Sequence, residues 1–307
     1  MSKEFSYTIE EVSQLLKVSK LTLYDMVKKG DIPVFRVGRQ MRIDSRDLDV
    51  YINNHKTKQT SNLSVTVPKG ETDAKTIVIS GQDMVLDILS KYMEKHSSYQ
   101  ALRSYTGSLN SLISMYNGKG DIVSLHMFDG DTGDYNVPYL KKILVGRPLI
   151  LLNLLSRKAG FYVQKGNPLS LTAWTDLQRK NIKIVNREKG SGARILLDEQ
   201  LRINNILSSE VNGYDKEESN HYSVATAVAN GMADVGVGIE KAAKMVGIDF
   251  VPLISESYDL VMLKTPENEP LIQTIKDILN SAHFRDEIQL LRDYDISRTG
   301  DIVYETF

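Results

Sequence analysis

Cysteine is absent from the 307-residue sequence, and tryptophan occurs once. Without cysteine, the chain cannot form disulfide scaffolds, thiolate zinc or iron–sulfur sites, or cysteine nucleophiles. The longest apolar run, residues 143–155, is interrupted by Arg147 and is too short to span a bilayer. The N-terminal residues have neither the apolar core nor the cleavage site of a signal peptide. We therefore expect a cytoplasmic protein with no membrane partner.

Net charge is low as well, which argues against a generic polycation. The formal net charge is −1, but residues 1–58 carry a net +3. A basic excess at one end suggests contact with nucleic acid. Residues 53–75 are rich in Thr, Ser, Asn and Lys, which is typical of a linker. Composition and pattern together predict one domain over residues 1–55, a linker over 56–75 and a larger domain over 76–307.

The first 55 residues show the pattern of two helices followed by a hairpin. Thr8 and Glu11 form a capping box, and an apolar stripe at helical spacing follows. A second helix is predicted over Lys20–Lys29, capped by Ser19 and ended by Gly30.

A turn and a strand are predicted over residues 32–37 and a returning strand over 41–43, with a tight tip between them and a last helix over 44–53. This order predicts a winged helix-turn-helix that places its second helix in the major groove of DNA. The alternative is a small domain for protein contacts, with solvated arginines.

The motifs of this region are TIEEV, LLKVS, VKKGDIP and FRVGRQ. They resemble the excisionase subgroup of MerR-like DNA-binding domains. The resemblance implies that DNA is contacted by eight side chains: Ser19, Lys20, Thr22, Tyr24, Lys28, Arg36, Arg39 and Arg42. Many members carry basic residues where this chain has Leu21 and Asp25. We therefore expect a homodimer, or a higher homo-oligomer, on paired half-sites rather than a tightly binding monomer.

From residue 75 onward, short apolar strands alternate with amphipathic helices, which predicts an open, mostly parallel sheet. Ligands of such sheets bind at the carboxyl ends of the strands, beside helix N-termini. Ser80-Gly81, Gly107-Ser108 and His126 lie at those positions. Free amides and a hydroxyl suit an anion. The alternative is that Ser and Gly merely cap helices.

A second glycine-rich turn occurs at residues 186–194, NREKGSGAR, between a predicted strand and a predicted helix. The spacing fits neither a Walker loop nor a dinucleotide fingerprint. Its backbone amides and its arginines, Arg187 and Arg194, could hold an anion. Helical stripes over residues 270–294 are predicted to pack on the larger domain, with a second subunit as the alternative.

The motifs LHMFD, KGNP, NREKGSGAR, NH and ATAVANGMADVGVGI resemble the type 2 periplasmic-binding-protein fold, in particular its molybdate- and tungstate-binding branch. The resemblance implies an α/β fold with two lobes that close on one small ligand. The residues placed near the ligand are Ser80, Gly81, Ser108, His126, Arg187, Ser191, Gly192, Arg194, His221 and Tyr222. A protonated histidine would favour a dianion, whereas a neutral one can simply cap the backbone. Asn220 replaces a threonine that is usual in the family.

These observations predict a one-component transcription regulator that senses a small cytoplasmic oxyanion, most simply molybdate or tungstate, with no other cofactor. The alternatives are a DNA-architectural, excisionase-like accessory protein and a transcription regulator that senses an organic acid. No catalytic constellation emerges, so an enzyme is not expected. The DGDTGD stretch at residues 129–134 lacks the bidentate glutamate of a calcium loop, so no metal site is expected.

Overall fold

The computed structural model describes residues 6–16, 18–29, 32–38, 40–44, 47–48, 51 and 75–307. The chain divides into two compact units, residues 1–70 and 71–307. The predicted linker, Gly30, Arg39 and most of the predicted helix over 44–53 lie outside the described residues. No helix in the described part of the chain is long and apolar enough to cross a membrane.

The smaller unit contains β1 (Ser6–Thr8), α1 (Ile9–Leu15), α2 (Lys20–Lys29), β2 (Phe35–Val37) and β3 (Gln40–Asp44). The capping box forms as predicted: Glu11 N donates to Thr8 Oγ1 at 3.2 Å, and Thr8 N donates to Glu11 Oε2 at 2.7 Å. The second helix has the predicted bounds. Sequence reasoning missed β1, which pairs with β3 and makes the wing three-stranded in the order β1-β3-β2.

The larger unit opens with its first lobe. The chain forms β4 (Lys75–Ser80), α3 (Val85–His96), β5 (Tyr99–Ser104), α4 (Ser108–Tyr116), β6 (Ile122–Leu125) and α5 (Val137–Ile143). Strand β4 lies between β5 and β6 and runs parallel to both. The predicted β-α-β-α-β alternation is confirmed here. Alternating side chains of these strands pack against helices on both faces of the sheet.

Two long strands, β7 (Leu149–Val163) and β11 (Asp249–Leu263), connect the lobes. They pair antiparallel from Leu263↔Leu149 to Asp249↔Val163, with irregularities between Pro252 and Ile254 and between Tyr258 and Asp259. The expectation of a mostly parallel sheet is therefore wrong at its centre. The apolar run of β7 is buried on both faces, so it lacks the period-2 pattern that reveals a strand.

The second lobe contains β8 (Ile184–Arg187), α6 (Gly192–Ile203), β9 (Glu217–Glu218), α7 (His221–Ala229), β10 (Val235–Ile239) and α8 (Glu240–Val246). The chain then returns through β11 to α9 (Glu269–Asn280), α10 (Ala282–Leu290), β12 (Tyr294–Asp295) and β13 (Ile302–Glu305). The strand order is β5-β4-β6-β11-β7-β10-β8-β9, and β12 and β13 also pair with β7. Leu271, Ile275 and Ile288 are buried in the core of the first lobe, which confirms that the C-terminal helices pack there.

Candidate ligand cleft and DNA-binding surface

Helix N-termini from both lobes meet at the cleft. Helix α4 follows Gly107, which provides no side-chain cap, and α6 follows Ser191, whose Oγ accepts from Arg194 N at 3.3 Å. Leu109 N donates to Gly190 O at 3.0 Å across the two lobes. A Cβ atom on Gly107 would lie 2.8 Å from Gly190 O, so glycine permits this close approach. The turns around Ser108 and Ser191, predicted separately, therefore lie side by side.

The N-terminus of α3, the first helix of the first lobe, is occupied by a carboxylate of the protein itself, that of Asp83. Val85 N donates to Asp83 Oδ1 at 2.9 Å, and the Tyr294 hydroxyl lies 3.2 Å from both carboxylate oxygens of Asp83. On the opposite lobe, Asn220 Oδ1 caps α7 by accepting from Ser223 N at 2.8 Å. A negative side chain at the α3 N-terminus reduces the attraction of this particular helix end for a free anion.

A small cavity of about 60 Å³ lies between the lobes. It is lined by Gln82, Asp83, Met84, His126, Arg157, Asn220, His221, Tyr222, Ile239, Tyr258 and Tyr294. Three of the predicted ligand residues line it: His126, His221 and Tyr222. One water needs about 10–15 Å³ of such space, so the cavity has room for about four to six waters or one small ligand.

Arg157 of β7 is the buried cation of this cavity. Its Nε donates to Glu256 Oε1 at 2.6 Å, its Nη1 pairs with Asp83, and its guanidinium carbon lies 4.4 Å from the Tyr258 ring centroid. Among the described residues, Nη2 has no hydrogen-bond partner. A guanidinium has five N–H donors, so Arg157 keeps donors available to a molecule in the cavity.

Glu256 lies next to Arg157 and His126, and the latter two line the cavity. Burial alone would raise the pKa of Glu256, but the Arg157 guanidinium and His126 lower it to about 2. His126 Nδ1 lies 3.2 Å from Glu256 Oε2, although without the direction of a regular hydrogen bond. A Cβ atom on Gly192 would overlap the His126 ring and lie 2.6 Å from His126 O. Gly192 therefore allows α6 to approach His126.

His221, at the start of α7, is half-buried with its ring against the cavity. Its Nδ1 lies 3.5 Å from the Tyr162 hydroxyl, which accepts from Ile239 N at 2.8 Å. Burial, together with the positive charges of Arg187 and Arg157 and with His126, holds the pKa of His221 well below its usual range. The imidazole is therefore neutral at physiological pH.

Arg187 joins the two lobes at the mouth of the cavity. Its Nη2 donates to Gln82 Oε1 at 2.6 Å, and its Nε donates to Glu188 Oε2 at 2.8 Å. Gln82 Nε2 in turn donates to Glu188 Oε1 at 3.2 Å. Arg187 thus holds the lobes together beside the cavity rather than lining it.

Arg194 is engaged within the second lobe. It donates to Asp198 Oδ1 at 3.1 Å and to Glu217 Oε1 at 2.9 Å, and it lies 4.3 Å from the Tyr214 ring centroid. It does not line the cavity. The other predicted residues flank the cavity at strand ends and helix starts without lining it: Ser80, Gly81, Ser108, Ser191 and Gly192.

Sequence reasoning missed much of the cavity wall, Gln82, Asp83, Arg157, Tyr258 and Tyr294, and also Glu256, which pairs with Arg157 behind it. One signal was available, because Arg157 and Glu256 are charged residues within long strands that are otherwise largely apolar. A charge in such a strand must be paired or functional. The partners of Arg157, Asp83 and Glu256, lie 74 and 99 positions away from it in the sequence, so no local pattern indicates the pairing.

In the smaller unit, α2 exposes most of the residues expected to contact DNA. Ser19, Lys20, Thr22, Tyr24, Lys28 and Arg36 are exposed. Lys20, Tyr24 and Arg36 line one groove of about 370 Å³ between helix and wing, although Lys20 pairs with Glu10. Arg42 is half-buried and donates to Ser6 Oγ at 3.1 Å. The exposed set gives this surface the donors that phosphate oxygens require.

An exposed recognition helix and a two-lobed cleft define a DNA-binding regulator with a ligand-binding domain. Residues 6–56 match the family model described as a helix-turn-helix domain, and residues 89–280 match the model described as a PBP superfamily domain. The chain therefore belongs to the PBP superfamily.

Among its relatives, the uncharacterized protein YvgK of Bacillus subtilis (strain 168) is 50% identical over 310 residues, which cover 100% of both chains. The sulfate-binding protein SubI from Mycobacterium tuberculosis H37Rv matches at a TM-score of 0.51 and 14% identity, over 74% of this chain and 88% of SubI. The ancestral amino acid-binding protein AncCDT-1 matches at a TM-score of 0.51 and 15% identity, over 70% of this chain and 95% of AncCDT-1. At these identities the likeness to both structures concerns the fold.

Proposed function

We propose that this protein is a one-component transcription regulator whose cleft senses a small cytoplasmic oxyanion, molybdate or tungstate. The observation that carries the proposal is Arg157: a buried guanidinium with an unused Nη2 lines a cavity of about 60 Å³. An anion of a few heavy atoms fits that space and could accept those hydrogen bonds. A homodimer would bring two helix-turn-helix units to paired half-sites on DNA.

The cleft also supplies hydrogen-bond donors without charge. The uncapped start of α4 and the start of α6 lie side by side where the lobes meet, and their helix dipoles favour a negative group in the neighbouring cavity. SubI, a sulfate-binding protein by name, shares the two-lobed fold. These features favour a tetrahedral oxyanion over a larger organic acid, which would need the lobes to separate further.

Ligand would act on DNA binding through the closure of the lobes. The Gln82–Arg187 bond spans the lobes directly beside the cavity, so a bound anion that stabilises the closed arrangement shifts the open–closed equilibrium. A coupling of about 1–3 kcal/mol would change operator affinity by about 5–150-fold. In a dimer, that shift would alter how the two DNA-binding units are presented.

Isothermal titration calorimetry with molybdate, tungstate, sulfate, phosphate and a few carboxylates tests the ligand. We expect molybdate or tungstate to bind at least about a hundredfold more tightly than sulfate, a difference of roughly 2.8 kcal/mol. The absence of a binding signal with every oxyanion would contradict the ligand assignment. Operator binding, followed by fluorescence anisotropy with and without the anion, tests the regulator. DNA bending with no response to any ligand would instead support an architectural accessory.

Two arginine variants make the test residue-specific. Arg157→Lys keeps the positive charge but removes the free Nη2, so it should weaken anion binding about tenfold or more. Arg194→Lys alters an equally buried arginine that does not line the cavity, so anion binding should stay near the wild-type value. Trp174 fluorescence verifies that both variants are folded. Equal losses of affinity in the two variants would exclude Arg157 as the anion's partner.

A further inference from the structure

The charges around the cavity do not balance for a dianion. Asp83 and Glu256 are both buried, and among the described residues Arg157 is the one arginine or lysine that pairs with them, while His126 lies 3.2 Å from Glu256. At the mouth, Arg187 is balanced by Glu188. Apart from the histidines, these five groups sum to −1, so a doubly charged oxyanion would add to a net negative charge among them. In a space with little water, such repulsion is weakly screened.

His221 is the group placed to correct this balance. Its ring lines the cavity, and Nε2 has no hydrogen-bond partner among the residues that the structure describes. The nearest charged and titratable groups are Arg187 from β8, Arg157 and Tyr162 from β7, and His126 after β6. The same cavity is also lined by Asp83, Tyr222, Tyr258 and Tyr294. The positive neighbours and burial keep the imidazole neutral while the cavity holds no anion.

The contact of His221 Nδ1 with Tyr162 suits either protonation state. The Tyr162 hydroxyl can donate to a neutral Nδ1, which leaves the proton of the imidazole on Nε2, or it can accept from a protonated Nδ1. No rearrangement of the backbone is needed, because Ile239 N donates to the same hydroxyl oxygen in both cases. The Tyr162 oxygen is therefore paired in both states, and in the protonated state its own O–H turns from His221 to another acceptor.

We propose that His221 takes up one proton from solution when a doubly charged oxyanion binds, so that the cavity holds the anion and a histidinium together. This proposal rests on the proposed function. A negative charge in contact with the ring favours the charged imidazolium and offsets the effect of Arg187 and Arg157. His221 thereby sets the charge preference of the site.

Two consequences distinguish this arrangement from simple anion binding. Affinity for a dianion should fall about tenfold per pH unit wherever free His221 is neutral and bound His221 is protonated. A singly charged tetrahedral anion needs no such compensation. Perrhenate has the same shape as tungstate with one charge less, so its affinity should depend far less on pH.

The experiment is calorimetry of the full chain with sodium tungstate at about pH 7.5, in buffers of different ionisation enthalpy. The slope of the observed enthalpy against the buffer enthalpy gives the number of protons taken up. We expect about one proton for the wild type and nearly none for His221→Gln, which keeps a hydrogen-bond donor but cannot titrate. His283→Gln, an exposed histidine of α10 outside the cavity, should keep the wild-type slope.

The outcomes separate the two proposals. Tungstate binding with no proton uptake and no pH dependence would overturn the role of His221 while leaving the oxyanion sensor intact. Full uptake in His221→Gln, with loss of uptake in His126→Gln, would also overturn it, because the proton would then reside on His126. Failure of tungstate, molybdate and perrhenate to bind would remove the proposed function itself, and the inference with it.

Discussion

Replacing Glu256 by Gln removes one carboxylate from the buried cluster around Arg157 and keeps the shape of the side chain. The low pKa of Glu256, about 2 against an ordinary 4.5, measures how strongly the fold stabilises the ionised form. At 1.36 kcal/mol per pKa unit this amounts to about 3 kcal/mol. Breaking a buried ion pair typically costs about 3–5 kcal/mol. We therefore expect the variant to lose about 3 kcal/mol of unfolding free energy at pH 7.

The pH dependence of this loss identifies its origin. Because the pKa is depressed in the folded state, the stabilisation is complete above about pH 4.5 and is lost as pH falls toward 2. The difference between wild type and variant should shrink from about 3 kcal/mol at pH 7 to about 1.5 kcal/mol at pH 3. Urea unfolding followed by Trp174 fluorescence measures it. Trp174 is the single tryptophan and packs edge-on against Phe161, so the signal reports the larger unit.

A matched surface pair provides the control. Glu305 Oε1 accepts from Lys264 Nζ at 2.8 Å, but both side chains are about a quarter exposed. Glu305→Gln should therefore cost less than about 1 kcal/mol. If Glu256→Gln loses the same unfolding free energy at every pH from 7 to 3, the electrostatic reasoning is refuted. The loss would then be one of packing.

Two further substitutions test the cleft and the DNA-binding unit. Gly192→Ala places a Cβ atom against the His126 ring and its carbonyl, so α6 must move; we expect a loss of about 1–3 kcal/mol in stability and weaker anion binding by calorimetry. Gly120→Ala, whose Cβ would have nearest neighbours at 3.6 Å, should be close to neutral, and equal behaviour of the two would contradict the argument. Thr8→Ala removes the cap of α1, which is worth about 0.5–2 kcal/mol, so amide exchange over Ile9–Leu15 should accelerate about two- to thirtyfold by mass spectrometry. Unchanged exchange would show that the wing, not the cap, holds this helix.

Local patterns in the sequence were sufficient for the first two helices of the DNA-binding unit and for most helices of the larger unit, but not for β1. The Thr8–Glu11 box and the second helix depend on contacts within a few residues, and the structure contains both. The start of α6 at Gly192 follows from the Gly-Ser-Gly turn in the same way. Such features need only nearest neighbours along the chain, so a sequence reports them directly.

The cavity wall required contacts that no local pattern reports. Arg157 reaches Asp83 and Glu256 because β7 lies at the centre of the sheet and crosses between the lobes. The glycine-rich turn at residues 186–194 predicts Arg187 and Arg194 as ligand residues because both lie next to it in the sequence. The structure instead engages Arg187 with Gln82 and Glu188, and Arg194 with acidic residues of its own lobe.

The turn that follows β4 connects the contents of the cavity to the position of the lobes. Asp83 pairs with Arg157 inside the cavity, while the adjacent Gln82 bonds to Arg187 of the opposite lobe. An anion that draws Arg157 toward itself must weaken the ion pair between Arg157 and Asp83. Asp83 also caps the start of α3 by accepting a hydrogen bond from Val85 N. Gln82 cannot stay fixed if that turn shifts. Two consecutive residues, Gln82 and Asp83, therefore couple ligand binding to lobe closure. Gln82→Ala should weaken the response of DNA binding to the anion more than it weakens anion binding itself.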